Sequence, residues 1–185
     1  MSETRRKAAL GRTILAAALV LASTAGVSGQ QAKPDVWAPV RFLVGDWVGS
    51  AEGESGNGTV RRSYAFVIKD RYLHEKNVST YPPQPANKSG EVHEHWSLFS
   101  YDRARKALVL RQFHQEGFVN QYVLDTAASG LVFESERFEN VGEGWRARES
   151  YEVRSADEFV ETFEIAAPGK PMQVYSRNHF RRVKP

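Results

Sequence analysis

From Leu43 onward, apolar and polar residues alternate in short runs closed by Gly, Pro, Asn or Asp, and no window carries an apolar stripe at helical spacing over three turns. Such alternation marks half-buried β-strands, because successive side chains point to opposite faces of a sheet. The runs predict ten strands: Leu43 to Glu54, Thr59 to Lys69, Arg71 to Thr80, Glu91 to Tyr101, Ala107 to Gln115, Phe118 to Asp125, Gly130 to Glu139, Gly144 to Arg154, Glu158 to Ala166 and Met172 to Arg182. A brief helix is expected ahead of them, over Pro34 to Leu43. The links are short, as at Ser55 to Gly58, Glu116 to Gly117 and Asn140 to Glu143. Links of that length join antiparallel neighbours, whereas a parallel pair needs a crossover of about a dozen residues or more. Ten strands paired in chain order form a meander, which removes its open edges by closing on itself. The expected fold is therefore all-β, a ten-stranded antiparallel up-and-down barrel. The longest link, Tyr81 to Gly90, is proline-rich and is expected at a rim.

The same alternation assigns faces. Trp145, Ala147, Tyr151 and Val153 share a parity, so Glu149 travels inward with them, and Phe159, Phe163 and Ile165 carry Glu161 in the next strand. Leu131 and Phe133 bring Ser135 and Arg137; Val92, Trp96 and Leu98 bring Glu94; Leu108 and Leu110 bring Gln112 and His114. With Tyr122 from the sixth strand, the expected ligand-lining set is Glu94, Gln112, His114, Tyr122, Arg137, Glu149 and Glu161. This set is too polar for a dry core, since an unpaired buried charge costs several kcal/mol. Two readings follow. In one, a hydrated hollow is crossed by salt bridges from Arg137 to Glu149 or Glu161; in the other, the polar groups orient a small polar or amphipathic molecule. Glu149, Glu161 and His114 also offer an acid/base set for isomerisation or dehydration, although no nucleophile elbow, phosphate loop or metalloprotease helix accompanies them. His93 and His95 share one face of their strand, but that face also carries Glu91 and Ser97 and has no third ligand of clear spacing. No metal site is expected there.

The first thirty residues change the compartment. Arg5, Arg6, Lys7 and Arg12 precede an apolar run from Ile14 to Ala22 and a small-residue stretch from Ser23 to Gly29, the order of a secretory signal peptide cut before Gln30 or Gln31. The domain reading is a signal peptide over 1–29, a lead-in over 30–41 and the barrel over 42–185. The leader holds four of the 25 Lys and Arg and one of the 22 Asp and Glu, leaving 21 of each. The net charge of +3 thus belongs to the leader, and a nucleic-acid partner has no support from it. The apolar run is shorter than the roughly 20 residues of a bilayer span, so no stable membrane anchor is expected after cleavage. An exported chain with no cysteine is held by its core and hydrogen-bond ladder alone, which fits a periplasm or secretion without disulfides.

The segment Leu43 to Gly53 reads L-V-G-D-W-V-G-S-A-E-G. Its glycines let backbones approach where a barrel closes, and Trp47 supplies a plug for one end. With this motif the chain resembles the calycin-type barrels, and most closely the nitrobindin-like and fatty-acid-binding-protein-like families, departing from their pattern at Ala51. The turn Ser100-Tyr101-Asp102 is similar to one in exported barrels of the same group. The resemblance implies a ligand-holding barrel whose Trp47 stacks on an arginine of the last strand, Arg181 or Arg182. It also implies heme as a cofactor, held by a histidine near the C-terminus. His179 occupies that position, while strand parity turns it outward with Tyr175 and Arg177. His114 is the other axial candidate. The expected function is an exported carrier or sensor of a small ligand, with a heme protein acting on nitrogen oxides and an acid/base enzyme as alternatives.

Overall fold

The structure is a computed structural model that describes residues 34–184 except residue 86. The expected signal peptide and residues 30–33 of the lead-in lie outside the described residues. Ten strands follow one another: β1 (Gly45–Gly53), β2 (Gly58–Val67), β3 (Tyr72–Tyr81), β4 (Glu91–Asp102), β5 (Ala107–His114), β6 (Val119–Leu124), β7 (Leu131–Glu139), β8 (Arg146–Ser155), β9 (Glu158–Ala166) and β10 (Gln173–Arg182). Each pairs antiparallel with its neighbours in sequence, and β1 pairs β10 from Trp47↔Arg182 to Gly53↔Ser176, closing the barrel. No helix among the described residues is long and apolar enough to cross a membrane.

The helix expected over Pro34 to Leu43 is reduced to turns and a single 3₁₀ turn, Arg41–Leu43. Pro39 supplies no N–H to an α-helical ladder and drives the residue before it away from helical geometry. The seam between β1 and β10 explains the glycines of the opening motif. A Cβ on Gly49 would lie 2.2 Å from the carbonyl oxygen of His179, and one on Gly53 would lie 2.1 Å from that of Tyr175. Neither position admits a side chain unless β10 moves away.

Because strands alternate direction, the links β1–β2, β3–β4, β5–β6, β7–β8 and β9–β10 gather at one end, the mouth. The opposite end is plugged. Val40, Leu43, Trp47, Leu73, Phe99, Phe133, Phe159 and Phe180 are fully or almost fully buried there and belong to one core cluster. The Trp47 ring meets Phe159 edge-on at 4.7 Å, and Phe159 stacks on Phe180 at 4.7 Å. The guanidinium of Arg182 lies 4.2 Å from the centre of the Trp47 ring, so Arg182 rather than Arg181 makes the cation–π contact expected from the last strand. Trp47 Nε1 donates to the Leu43 carbonyl at 2.7 Å, and Arg182 donates to the carbonyls of Phe42, Val44 and Ala156. The plug therefore buries its polar atoms against backbone oxygens and leaves them satisfied.

Candidate functional site

Above the plug the interior turns polar. Val60, Tyr64 and Phe66 place Arg62 on the inner face of β2, and Leu73 places Glu75, Asn77 and Ser79 on that of β3. Arg62 is the hub of this layer. Its guanidinium is hydrogen-bonded to both oxygens of Glu161, through Nη1 to Oε1 and through Nη2 to Oε2 at 2.7 Å. Its Nε donates to Asn77 Oδ1 at 2.8 Å and lies 3.1 Å from Glu75 Oε1, while the Phe180 ring sits 4.7 Å below it. Asn178 Nδ2 adds a second donor to Glu161 Oε2. Burial alone would raise the Glu75 carboxyl, but the neighbouring guanidinium and the His95 and Ser97 side chains outweigh it and hold the group at about 2.

A second carboxyl stands across the barrel. Glu149 Oε1 accepts from Gln112 Nε2 at 2.6 Å, and its Oε2 accepts from the Tyr151 hydroxyl at 2.8 Å. Burial, reinforced by the nearby Glu161 charge, raises this carboxyl to about 8, so it keeps its proton at neutral pH. Burial also holds the Tyr122 phenol well above its ordinary range; its oxygen accepts from Asn120. Arg62 therefore faces Glu75 and Glu161 on one side of the interior, while the Glu149 carboxyl stands neutral on the other.

Three imidazoles approach one another at the mouth. His93 and His95 lie two apart on β4, and His114 faces them from β5 through the pairing His95↔His114. Their ring centres are 5.7, 5.5 and 5.2 Å apart. His114 stacks on Phe118 at 4.2 Å, and its own burial, together with the two other rings, pushes it down to about 3, so it is a neutral base. On the other side of the ring of strands the lining is apolar: Phe138, Val141, Trp145, Phe163 and Ile165. Between these walls lies a cavity of about 440 Å³. A shallower depression of about 700 Å³ runs along the outer wall beside Val48, Arg61 and Arg181, but the buried polar groups converge on the interior cavity instead.

The sequence-expected lining divides. Gln112, His114, Tyr122, Glu149 and Glu161 all point into the barrel, and all of these except Tyr122 line the cavity. Glu94 and Arg137 do not: both are exposed on the outer face. On β4 the inward set is His93, His95, Ser97 and Phe99, while Val92 and Trp96 are 54% and 57% exposed. The apolar vote failed there because this part of the inner face lines a polar cavity, while Trp96 finds its partners outside, edge-on to His74 and 5.5 Å from the Lys76 ammonium. On β7 the ladder shifts register between Gln121↔Arg137 and Tyr122↔Ser135, so Glu136 is an extra residue. That bulge reverses the parity beyond Ser135, turning Arg137 outward and Phe138 inward. No bridge from Arg137 to Glu149 or Glu161 therefore forms; Arg62 takes that place.

His179 is half exposed on the outer wall, 4.0 Å from Glu52, and lines the outer depression rather than the cavity. Arg62, Glu75 and the joining of His114 to His93 and His95 were missed by the sequence reading. Counting Val60, Tyr64 and Phe66 on β2 would have found Arg62. Nothing local would have found the grouping of the three histidines.

No family model matches the chain, and no curated protein does. Among solved structures it is similar to Rv2717c from M. tuberculosis, with a TM-score of 0.58 and 14% identity over 82% of this chain and 99% of that one. At that identity the likeness is one of fold: the chain is a ten-stranded antiparallel barrel with a solved structural neighbour, compatible with ligand binding.

Proposed function

We propose that this barrel is an exported carrier or sensor that holds one small amphipathic molecule, its polar end toward Arg62, Asn178 and Gln112 and its apolar part against Phe138, Trp145, Phe163 and Ile165. The observation that carries this reading is the interior cavity of about 440 Å³, walled by a charged layer below and aromatic side chains at one side of the mouth. That volume lies in the range of small-molecule sites, and the pairing of an apolar wall with a few convergent polar groups is their common composition. The charged layer favours a ligand head that both accepts and donates hydrogen bonds, since Arg62 is already engaged by Glu161 and protonated Glu149 is a donor. Export is supported by the basic, apolar and small-residue order of the leader; mass spectrometry of the secreted or periplasmic product should give a chain beginning at Gln30 or Gln31.

The test is native mass spectrometry of the purified protein, followed by titration with 1-anilinonaphthalene-8-sulfonate and displacement by medium-chain alcohols and carboxylic acids. A single bound probe, displaced by such chains and weakened by Trp145→Ala, is the expected result. No stoichiometric binding, together with no co-purified molecule, would overturn the reading. Hemin in the same titration separates the heme alternative: a spectrum that changes on binding and reverts with His179→Ala would favour it over the carrier.

A further inference from the structure

The three histidines at the mouth are arranged about a common centre. One ring nitrogen from each lies within 4.8 Å of the other two, and His93 Nε2 and His114 Nδ1 are 3.4 Å apart. Zn–N bonds of about 2.0–2.1 Å at tetrahedral angles set two ligand nitrogens about 3.4 Å apart. The His93 and His114 pair already spans one edge of such a tetrahedron, and a ring nitrogen of His95 lies within 4.8 Å of both partners.

The ring nitrogens on the far sides are also directed. His93 Nδ1 lies 3.1 Å from Glu116 Oε1, His95 Nε2 lies 3.3 Å from Glu75 Oε1, and His114 Nε2 lies 3.3 Å from the Asn120 amide. Asn120 Oδ1 has no partner, so a half-turn of that amide offers His114 an acceptor. An acceptor behind the imidazole selects the tautomer whose other nitrogen carries a free lone pair, and it raises the basicity of that nitrogen.

A separate observation points to a missing partner. Glu75 Oε1 is met by Arg62 Nε at 3.1 Å and by His95 Nε2 at 3.3 Å, but His95 Nδ1 has no hydrogen-bond partner although His95 is 7% exposed. Buried polar atoms are nearly always paired, so an orphaned imidazole nitrogen beside two other rings is unusual. An ion bound by the imidazoles would give His95 Nδ1 a partner.

We infer that His93, His95 and His114 form a three-histidine site for one divalent transition-metal ion of the zinc class, with its fourth coordination position open to the cavity. Three neutral nitrogens select Zn²⁺, Co²⁺, Ni²⁺ or Cu²⁺ over Mg²⁺ and Ca²⁺, which take oxygen ligands. This site stands apart from the carrier reading, because it requires no organic molecule in the barrel.

The experiment uses the full chain without a histidine tag, stripped with EDTA and titrated calorimetrically with Zn²⁺, with Co²⁺ absorption recorded in parallel. The expected result is one Zn²⁺ per chain, Co²⁺ bands of a four-coordinate site and no binding of Mg²⁺. His93→Ala and His114→Ala should each weaken Zn²⁺ by at least about 100-fold, and Glu116→Gln by about 10–100-fold. His93 and Glu116 sit at the partly exposed rim, so their variants keep the fold, as circular dichroism will verify. Zn²⁺ binding below one per chain, or full-strength binding retained in both His93→Ala and His114→Ala, would overturn the inference.

Discussion

The two ends of this barrel are made from the same ten strands and are chemically opposite. At the plugged end Trp47, Phe159, Phe180 and Leu43 pack without solvent, and the polar atoms that enter, Trp47 Nε1 and the Arg182 guanidinium, are spent on backbone carbonyls. Toward the mouth, buried atoms of Glu75, His95, Ser97, Asn120 and Asn178 have no hydrogen-bond partner; among the described residues, Arg111 on the outer wall is the other such case. The contrast teaches that apolar packing and buried polar chemistry are segregated along the barrel axis. Packing at one end carries the fold, so the other can retain unsatisfied groups and a hollow.

Arg62→Met is the strongest probe of that division. It strands Glu75 and Glu161 without a counter-charge, and breaking a buried ion pair from one side costs about 3–5 kcal/mol, the upper end being expected for two stranded carboxylates. Urea unfolding should show this loss, and adding Glu75→Gln and Glu161→Gln should recover most of it. Trp47→Ala comes next, at about 3–5 kcal/mol by the same measurement, from lost burial and the cavity left behind. No charge change should restore it; recovery by removing Arg182 would break the contrast between a packed end and an electrostatic one.

A smaller effect is expected from Glu149. Its carboxyl is held at about 8 in the folded protein against an ordinary 4.5. Between those values the folded chain keeps a proton that the unfolded chain has released, so the contribution of this group to stability falls as pH rises. His114, held at about 3 against an ordinary 6.5, has the opposite slope and offsets this fall below pH 6.5. Thermal melts from pH 6.5 to 8 should show a decline that Glu149→Gln flattens; a wild-type curve flat over that window, or rising and unchanged by the substitution, would contradict the assignment. The smallest effects belong to the outer face. Glu94→Ala and Arg137→Ala should each change stability by no more than about 0.5 kcal/mol and leave probe binding unchanged. A clear loss of binding in either would place the recognition surface outside the barrel.

How far the site could be read in advance depended on the strand. On β8 and β9 large apolar residues flank Glu149 and Glu161 at the plug side and agree on one face, so parity placed both carboxyls correctly. On β4 the inner face at the mouth is made of histidines and the outer face carries Val92 and Trp96, so the same count chose the wrong side. On β7 one inserted residue, Glu136, was enough to reverse Arg137.

Alternation of side chains and turn residues are local properties, and from them the chain by itself determined ten strands, their order, their antiparallel closure and a polar interior. Tertiary structure alone decided which polar groups meet. Arg62 and Glu161 are 99 residues apart in the chain, and His114 reaches His93 and His95 only because β5 pairs with β4 in one particular register. Register, bulges and the side facing the hollow depend on neighbouring strands, so no single strand encodes them.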